Sequence, residues 1–152
     1  MENNISKVNS LGQSIWYDNI SKKTILSGEL KGLIDTGISG LTSNPTIFFK
    51  AITGSQDYDV QLNELASQAL DVEAIYEHLV IDDIRAVADL LKSTYDKTDG
   101  ADGYVSLEVN PNLAHETDKT IEEATRLFET VNRKNLMIKV PATPAGIPAI
   151  RT

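Results

Sequence analysis

The sequence has no cysteine among its 152 residues. Disulfide bonds and thiol catalysis are therefore excluded, and the redox compartment of the chain cannot be inferred from cysteine usage. Histidine is almost as scarce, because His78 and His115 are the only two, and each stands apart from any cluster of potential ligands. This spacing predicts that the chain has no zinc site.

Basic charge and long apolar runs are also lacking. The net charge is −8 and the isoelectric point is about 4.7, so the chain repels nucleic acid and anionic membranes. Residues 1–7 lack the basic and apolar segments of a signal peptide, and no apolar run approaches the length of a membrane span. We expect no nucleic-acid partner, no membrane partner and, by default, a cytoplasmic location.

The chain does have an ordinary apolar content of 41%, which is enough for one domain with a buried core. Candidate strands and helices alternate, and no low-complexity linker or change in composition marks a second domain. We therefore treat residues 1–152 as one α/β domain. The candidate strands are residues 15–17, 38–42, 104–109 and 136–140.

Helical periodicity fills the intervals between the strands. The stretch over about 55–95 is long enough for two or three helices. We predict that Asp82 and Asp83 lie in the first turn of one of them, where the helix dipole favours acids. Asn44 and Pro45 predict a helix start. A capping box is predicted at residues 120–123. The positions predicted to form apolar stripes are Ile84, Val87, Ala88 and Leu91 in one helix, and Ile121, Ala124, Phe128 and Val131 in another.

A polar group stands at or near the carboxyl end of each candidate strand: Asp18, Asn44, Glu108 and Lys139. Strands separated by helices are expected to run parallel, in a doubly wound sheet or in a closed barrel. Catalytic groups from different strands converge at the carboxyl-terminal rim of a (β/α)₈ barrel. A nucleotide-binding sheet would instead carry a glycine-rich loop after the first strand, and this sequence has none. The pattern favours a (β/α)₈ barrel of which this chain supplies about the first four strand–helix units.

Lys139 is the most informative residue, because it is the one charge in an otherwise apolar run, 136–140. A buried ammonium is costly unless it is paired or its pKa falls, and a neutral amine attacks carbonyl carbon. The run therefore indicates Schiff-base chemistry. The alternative is a lysine at a strand end that extends to water.

Two carboxylates would complete such a site. In imine chemistry one carboxyl group moves protons on substrate hydroxyls, and another handles the water that forms and later hydrolyses the imine. Asp18 and Glu108 suit these roles. The alternatives remain open: Asp18 could cap a turn, Glu108 could form a plain ion pair with Lys139, and Asn44 would cap its helix in any case.

Several motifs together resemble the amino-terminal half of a bacterial transaldolase. The resemblance covers essentially the whole chain, and the first and third of the motifs are highly specific in combination. The matching segments are 40–48 (GLTSNPTIF), 105–111 (VSLEVNP) with Thr117-Asp118, 138–143 (IKVPAT) leading to Gly146, and the opening 15–21 (IWYDNIS).

The resemblance implies a metal-free class I transferase without a cofactor. Such an enzyme moves a dihydroxyacetone unit from sedoheptulose 7-phosphate to glyceraldehyde 3-phosphate in the pentose phosphate pathway. By this resemblance Lys139 is the Schiff-base lysine, Asp18 the general acid/base and Glu108 the holder of the catalytic water. Asn44 is implied to contact a substrate hydroxyl, with Thr42 beside it.

The chain is nevertheless short for this architecture, since a closed barrel takes about 250 residues. The family continues with an Asn and Thr strand and a Ser and Arg motif that grips phosphate, and this sequence contains neither. Arg85, Arg126 and Arg133 fall on or just after predicted helices and are poor substitutes, and Arg151 lacks the motif. We expect a truncated form with about half an active site.

Three functional alternatives follow for a chain of this kind. The first is the transaldolase reaction of a complete barrel, and the second is a related class I sugar-phosphate aldolase. The third is a non-catalytic half-barrel module. Because half a barrel leaves its first and fourth strands as open edges, we expect a complementary half-barrel or self-association through those edges.

Overall fold

The structure is a computed structural model and describes residues 3–152. Its centre is a parallel sheet of four strands in the order β1-β2-β3-β4, so neighbours in the chain are neighbours in the sheet. All four carboxyl ends therefore lie at the same edge. The strands are Trp16–Asp18 (β1), Gly40–Thr42 (β2), Val105–Glu108 (β3) and Leu136–Lys139 (β4).

Helices connect the strands, as expected for parallel crossovers. The stretch over 55–95 contains a short 3₁₀ helix, Gln56–Tyr58, and two α-helices, which confirms its division. A second 3₁₀ turn, Pro111–Leu113, follows β3. The α-helices are Asn4–Ser10 (α1), Lys22–Leu26 (α2), Glu29–Asp35 (α3), Pro45–Thr53 (α4), Asp59–Ala66 (α5), Val72–Lys97 (α6), Thr117–Val131 (α7) and Gly146–Arg151 (α8).

The core lies between the helices and one face of the sheet, which we call the outer face. Alternate residues of the strands point into it because side chains change sides at every residue of a strand. The predicted stripe of α6 is confirmed, since Ile84, Val87, Ala88 and Leu91 are all buried. The outer-face residues buried with it include Leu41, Val105, Leu107 and Leu136.

The opposite face, which we call the inner face, is mostly polar. Strand register places Asp18 beside Thr42, Thr42 beside Ser106, and Glu108 beside Lys139. Cross-strand neighbours in a parallel sheet share a face, so these side chains share the inner face near the carboxyl ends. Among the described residues, β1 and β4 each pair with one strand only, as predicted for part of a barrel.

Several local predictions are wrong. Strand β2 begins at Gly40 rather than at residue 38. No capping box forms at 120–123, because α7 begins at Thr117 and Thr120 is buried in its first turns, with its hydroxyl donating to the Leu113 carbonyl at 2.9 Å. Asp83 is not in a first turn, since α6 already begins at Val72.

The buried stripe of α7 also differs from the prediction. Phe128 is 45% exposed, whereas its neighbour Leu127 is buried together with Val131. Both assignments fit a helical spacing of three to four residues, and the choice depends on how the helix is rotated about its axis. That rotation is set by packing against β4 and α6, which periodicity alone does not contain.

Candidate active site

Lys139 and Glu108 form an ion pair at the carboxyl edge of the sheet. The β3–β4 register sets the two residues side by side, and the Lys139 Nζ lies 3.3 Å from the Glu108 Oε2. The Lys139 side chain keeps 40% of its surface exposed. The apolar run therefore does not enclose the ammonium, because its apolar members Leu136 and Ile138 point to the outer face and Lys139 points away from it.

The end of β2 supplies further contacts to Lys139. Its Nζ donates a hydrogen bond to the Ser43 carbonyl at 2.8 Å and lies 3.5 Å from the Thr42 Oγ1. Ser106 ties the same segment to β3, because its hydroxyl donates to Thr42 Oγ1 at 2.9 Å and its carbonyl accepts from the Ser43 hydroxyl at 2.8 Å. Lys139 is thus held by Glu108 of β3 and by groups at the end of β2.

Ser43 and Ser106 are contributors to the site that sequence reasoning did not assign. Both are buried, and both act through hydrogen bonds that join β2 to β3. The alternation of β3 carried a signal, since Ser106 shares a face with Glu108. For Ser43 the spacing held no signal, because its partner lies 63 residues away.

Asp18 occupies the last position of β1, next to Thr42 in the β1–β2 register. It is exposed, and its carboxylate forms no hydrogen bond or ion pair with the residues that the structure describes. Two strands separate it from Lys139, and Thr42 is the residue that neighbours both. Asp18 is therefore an accessible carboxylate at the same edge of the sheet, with no direct contact to the lysine.

Asn44 caps α4, as the sequence predicted. Its Oδ1 accepts the Ile47 N–H at 2.9 Å, and Pro45 follows at the first helical position. The cap uses the oxygen of the side-chain amide and leaves the NH₂ group available. The capping role and a ligand-binding role for Asn44 are therefore compatible.

A cavity of about 400 Å³ opens beside Glu108. Asn44 and Tyr76 line it, and the Tyr76 ring packs edge-to-face on Phe48 with centroids 6.5 Å apart. Burial raises the pKa of Tyr76, and the negative charge of Glu108 raises it further. The Tyr76 hydroxyl consequently remains a proton donor near the carboxylate.

No group of three or more potential metal ligands forms within residues 3–152. The structure in that range also contains no helix with the length and apolar character of a membrane span.

Comparison with known proteins identifies relatives for nearly the whole chain. The model of the Transaldolase/Fructose-6-phosphate aldolase family matches residues 15–152. Transaldolase 2 of Nostoc punctiforme is 47% identical over 149 residues, and the transaldolase of Trichodesmium erythraeum is 48% identical over 149 residues. The transaldolase of Mycobacterium tuberculosis is 46% identical over 148 residues.

Each match covers 97% of this chain but only 39% to 40% of the relative. The chain thus spans about two-fifths of the length of these enzymes. The fold of the matching family is a (β/α)₈ barrel, and the four parallel strands described above correspond to part of it.

Proposed function

The chain belongs to the transaldolase/fructose-6-phosphate aldolase family, and from this premise we propose that it provides the imine-forming half of a transaldolase site. The proposed reaction transfers a dihydroxyacetone unit from sedoheptulose 7-phosphate to glyceraldehyde 3-phosphate, a step of the pentose phosphate pathway. The observation that carries the proposal is the Lys139–Glu108 pair at the carboxyl edge of a parallel sheet.

Lys139 is proposed to form the imine. After its ammonium loses a proton, the amine attacks the ketone carbon of the donor sugar, and the carbonyl oxygen leaves as water after protonation. Glu108 is proposed to hold this water, because its carboxylate lies 3.3 Å from the Lys139 Nζ. The same water position serves the later hydrolysis of the imine.

Asp18 is proposed as the general acid/base. A carboxylate at this position can take the proton from a substrate hydroxyl, so that the adjacent carbon–carbon bond breaks, its electron pair moves into the protonated imine to leave an enamine on Lys139, and the aldose leaves. The accessibility of Asp18 and the absence of a hydrogen bond to its carboxylate from the described residues support this role. In the second half-reaction the enamine carbon attacks the acceptor aldehyde, and the same group returns the proton to the aldehyde oxygen.

Asn44 and Thr42 are proposed to contact substrate hydroxyls. The free NH₂ of Asn44 and the hydroxyl of Thr42 lie on the segment that runs from the end of β2 into α4. Thr42 is also within 3.5 Å of the Lys139 Nζ. A ketose bound to the lysine would therefore lie beside Thr42, while Asn44 lines the same cavity as Glu108.

A phosphate-binding group is proposed to come from another half-barrel. Three arginines of this chain have other partners: Arg85 donates to the Thr130 and Val131 carbonyls, Arg126 to Glu77 and Glu123, and Arg133 to Asp89. The partner would be a complementary half-barrel or a second copy, joined through the free edges of β1 and β4.

A second candidate is a class I aldolase that releases free dihydroxyacetone or handles another sugar phosphate. The description of the matching family includes fructose-6-phosphate aldolase and so supports this alternative. A third candidate is a non-catalytic half-barrel module, which the engagement of Arg85, Arg126 and Arg133 supports.

Borohydride trapping tests the proposal. We expect fructose 6-phosphate followed by borohydride to add one reduced dihydroxyacetone unit to Lys139, detected by peptide mass analysis. The protein is assayed alone and joined to the downstream part of the Trichodesmium erythraeum transaldolase. Lys139→Met should abolish the adduct, and the matched change of the exposed Lys134 to Met should not.

The outcomes separate the candidates. An adduct in the joined protein only would show that this chain requires a second half, and no adduct on Lys139 in either form would contradict the imine assignment. Release of dihydroxyacetone without transfer to glyceraldehyde 3-phosphate would favour the aldolase. Light scattering tests association, and a monomer that melts cooperatively would contradict the need for a partner half.

A further inference from the structure

A buried polar cluster lies outside the residues assigned to the reaction. Tyr58 has no exposed surface and Asp83 is 3% exposed. The Tyr58 hydroxyl donates to the Asp83 Oδ2 at 2.7 Å and accepts the backbone N–H of Lys22 at 2.9 Å. Buried polar groups are costly without partners, so this geometry is a specific feature of the fold rather than incidental packing.

The side chain of Lys22 enters the same cluster. Its Nζ lies 3.8 Å from the Asp83 Oδ1 and 4.9 Å from the centroid of the Tyr58 ring. It also donates to Gln61, whose amide in turn donates to Asp82 at 2.6 Å. Lys22 is therefore held twice, through its backbone N–H and through its ammonium group.

The electrostatics keep the Tyr58 hydroxyl in its donor form. Burial raises the pKa of Tyr58 well above its ordinary value, and the neighbouring Asp83 charge raises it further. Burial likewise raises the pKa of Asp83, against the opposing effects of the Tyr58 hydrogen bond and the Lys22 charge. A protonated Tyr58 can donate to Asp83 and accept from Lys22 at the same time.

The cluster connects directly to the loop that follows β1. Lys22 begins α2, four residues after Asp18 at the end of β1, and Ile20 between them has no exposed surface. Ser21 caps α2 by accepting the Thr24 N–H at 3.2 Å. The backbone of Asp18 is fixed by its place in β1 beside Thr42, but its carboxylate has no hydrogen bond to the described residues, so the orientation of the side chain depends on how the following loop is anchored.

We propose that Tyr58 and Asp83 are positioning residues for Asp18. By fixing Lys22 at the start of α2, they hold the loop from Asp18 to Lys22 at the carboxyl edge of the sheet. The inference rests on the proposed function for the role of Asp18. The anchoring itself can be measured without any activity.

Hydrogen exchange on this chain tests the anchor. Tyr58→Phe keeps the ring but removes the hydroxyl, so we expect the Lys22 amide to exchange about tenfold faster or more, with α7 unchanged. Tyr104→Phe is the matched control, because it also removes a tyrosine hydroxyl that is hydrogen-bonded to the backbone: the Tyr104 hydroxyl donates to the Gly100 carbonyl at 2.8 Å, in a turn before β3. An unchanged Lys22 amide, or equal acceleration throughout the chain, would overturn the proposal.

A functional measurement separates positioning from a structural role. In the protein joined to the downstream part of the Trichodesmium erythraeum transaldolase, Tyr58→Phe should lower kcat about 10- to 100-fold with KM nearly unchanged. Borohydride should still trap an imine on Lys139, now with the mass of the intact fructose 6-phosphate, because imine formation does not use Asp18 whereas the cleavage that leaves the dihydroxyacetone unit does. Unchanged kcat despite fast Lys22 exchange would overturn the proposal, as would loss of trapping and turnover in parallel.

Asp83→Asn provides the second variant if Tyr58→Phe does not fold. It keeps an acceptor for the Tyr58 hydroxyl and removes the charge beside the Lys22 Nζ. We therefore expect a smaller acceleration of Lys22 amide exchange and a smaller loss of kcat than in Tyr58→Phe. Wild-type exchange and wild-type kcat in this variant would overturn the proposal. Absence of any Lys139 adduct in the wild-type joined protein would contradict the proposed function instead, since the exchange measurement still reports on the anchor.

Discussion

The outer and inner faces of the sheet are built from the same four strands but have opposite character. On the outer face, Leu41, Val105 and Leu107 are at most 5% exposed and pack into one core with α6 and α7. On the inner face, Thr42, Glu108 and Lys139 form polar contacts, and Met137 is 43% exposed. The two-residue period of a strand produces this division.

The difference shows how the chain separates stability from chemistry. Burial of the outer face provides most of the hydrophobic free energy of folding, whereas the half-exposed inner face provides little. Reactive groups can therefore occupy inner positions without weakening the core. The same arrangement leaves part of the inner face exposed among the described residues, as Met137 and Lys139 show.

Adjacent residues of β4 provide the largest expected contrast. Leu136 is 4% exposed on the outer face, so Leu136→Ala should lower the free energy of unfolding by about 2–5 kcal/mol through lost burial and a residual cavity. Met137→Ala on the inner face should lower it by less than about 1 kcal/mol. Urea unfolding followed by circular dichroism measures both.

Equal losses of unfolding free energy for Leu136→Ala and Met137→Ala would contradict the difference between the two faces. That outcome would mean that the inner face is covered in solution. Both variants should also be measured at several protein concentrations. If a second copy covers the inner face, the effect of Met137→Ala will depend on concentration.

The next contrast concerns Gly40 and Gly32. A Cβ at Gly40 would overlap the indole of Trp16 on the inner face, so Gly40→Ala should cost about 1–3 kcal/mol and displace the ring. Trp16 is the only tryptophan, and its fluorescence reports the displacement directly. Gly32→Ala is the control, since a Cβ there meets open space on α3 and should stabilise the helix by up to about 1 kcal/mol. Unchanged Trp16 emission in Gly40→Ala would contradict the packing.

The fold was largely predictable because its signals are local. The alternation of strand and helix and the Asn44-Pro45 helix start are patterns over a few residues, and both are confirmed. The predicted capping box at 120–123 is wrong because the Thr120 hydroxyl, which would have capped the helix, donates to the Leu113 carbonyl instead. Such competition cannot be resolved from a single window of sequence.

The candidate site was predictable only in part. Residues at strand ends could be named, because parallel strands bring their carboxyl ends together. The contacts of Lys139 with Ser43 and the link between Tyr58 and Asp83 join positions far apart in the chain, 96 and 25 residues respectively. The roles of Lys139, Asp18, Glu108, Asn44 and Thr42 stay predictions, as do the absence of a cofactor and the cytoplasmic location.

The smallest expected effect concerns an ion pair in the helical layer, away from the inner face. Arg126 on α7 donates to both carboxylate oxygens of Glu77 on α6, at 2.7 and 2.6 Å. This hydrogen bonding lowers the pKa of Glu77 below its ordinary 4.5. Because the folded-state pKa is the lower one, the pair stabilises the fold fully above pH 4.5 and loses its effect as the pH falls through the lowered pKa.

Glu77→Gln should therefore destabilise the chain by about 0.2–1 kcal/mol near pH 7, since both partners are partly exposed and screened by solvent. The deficit should shrink at an acidic pH below the lowered pKa, where the wild-type carboxyl gains a proton. Urea midpoints at the two pH values measure it, with the exposed Glu64→Gln as control because Glu64 forms no ion pair with the described residues. A deficit that stays constant or grows on acidification would show that Glu77 stabilises the helical layer through packing, as the outer-face residues do, and not through its charge.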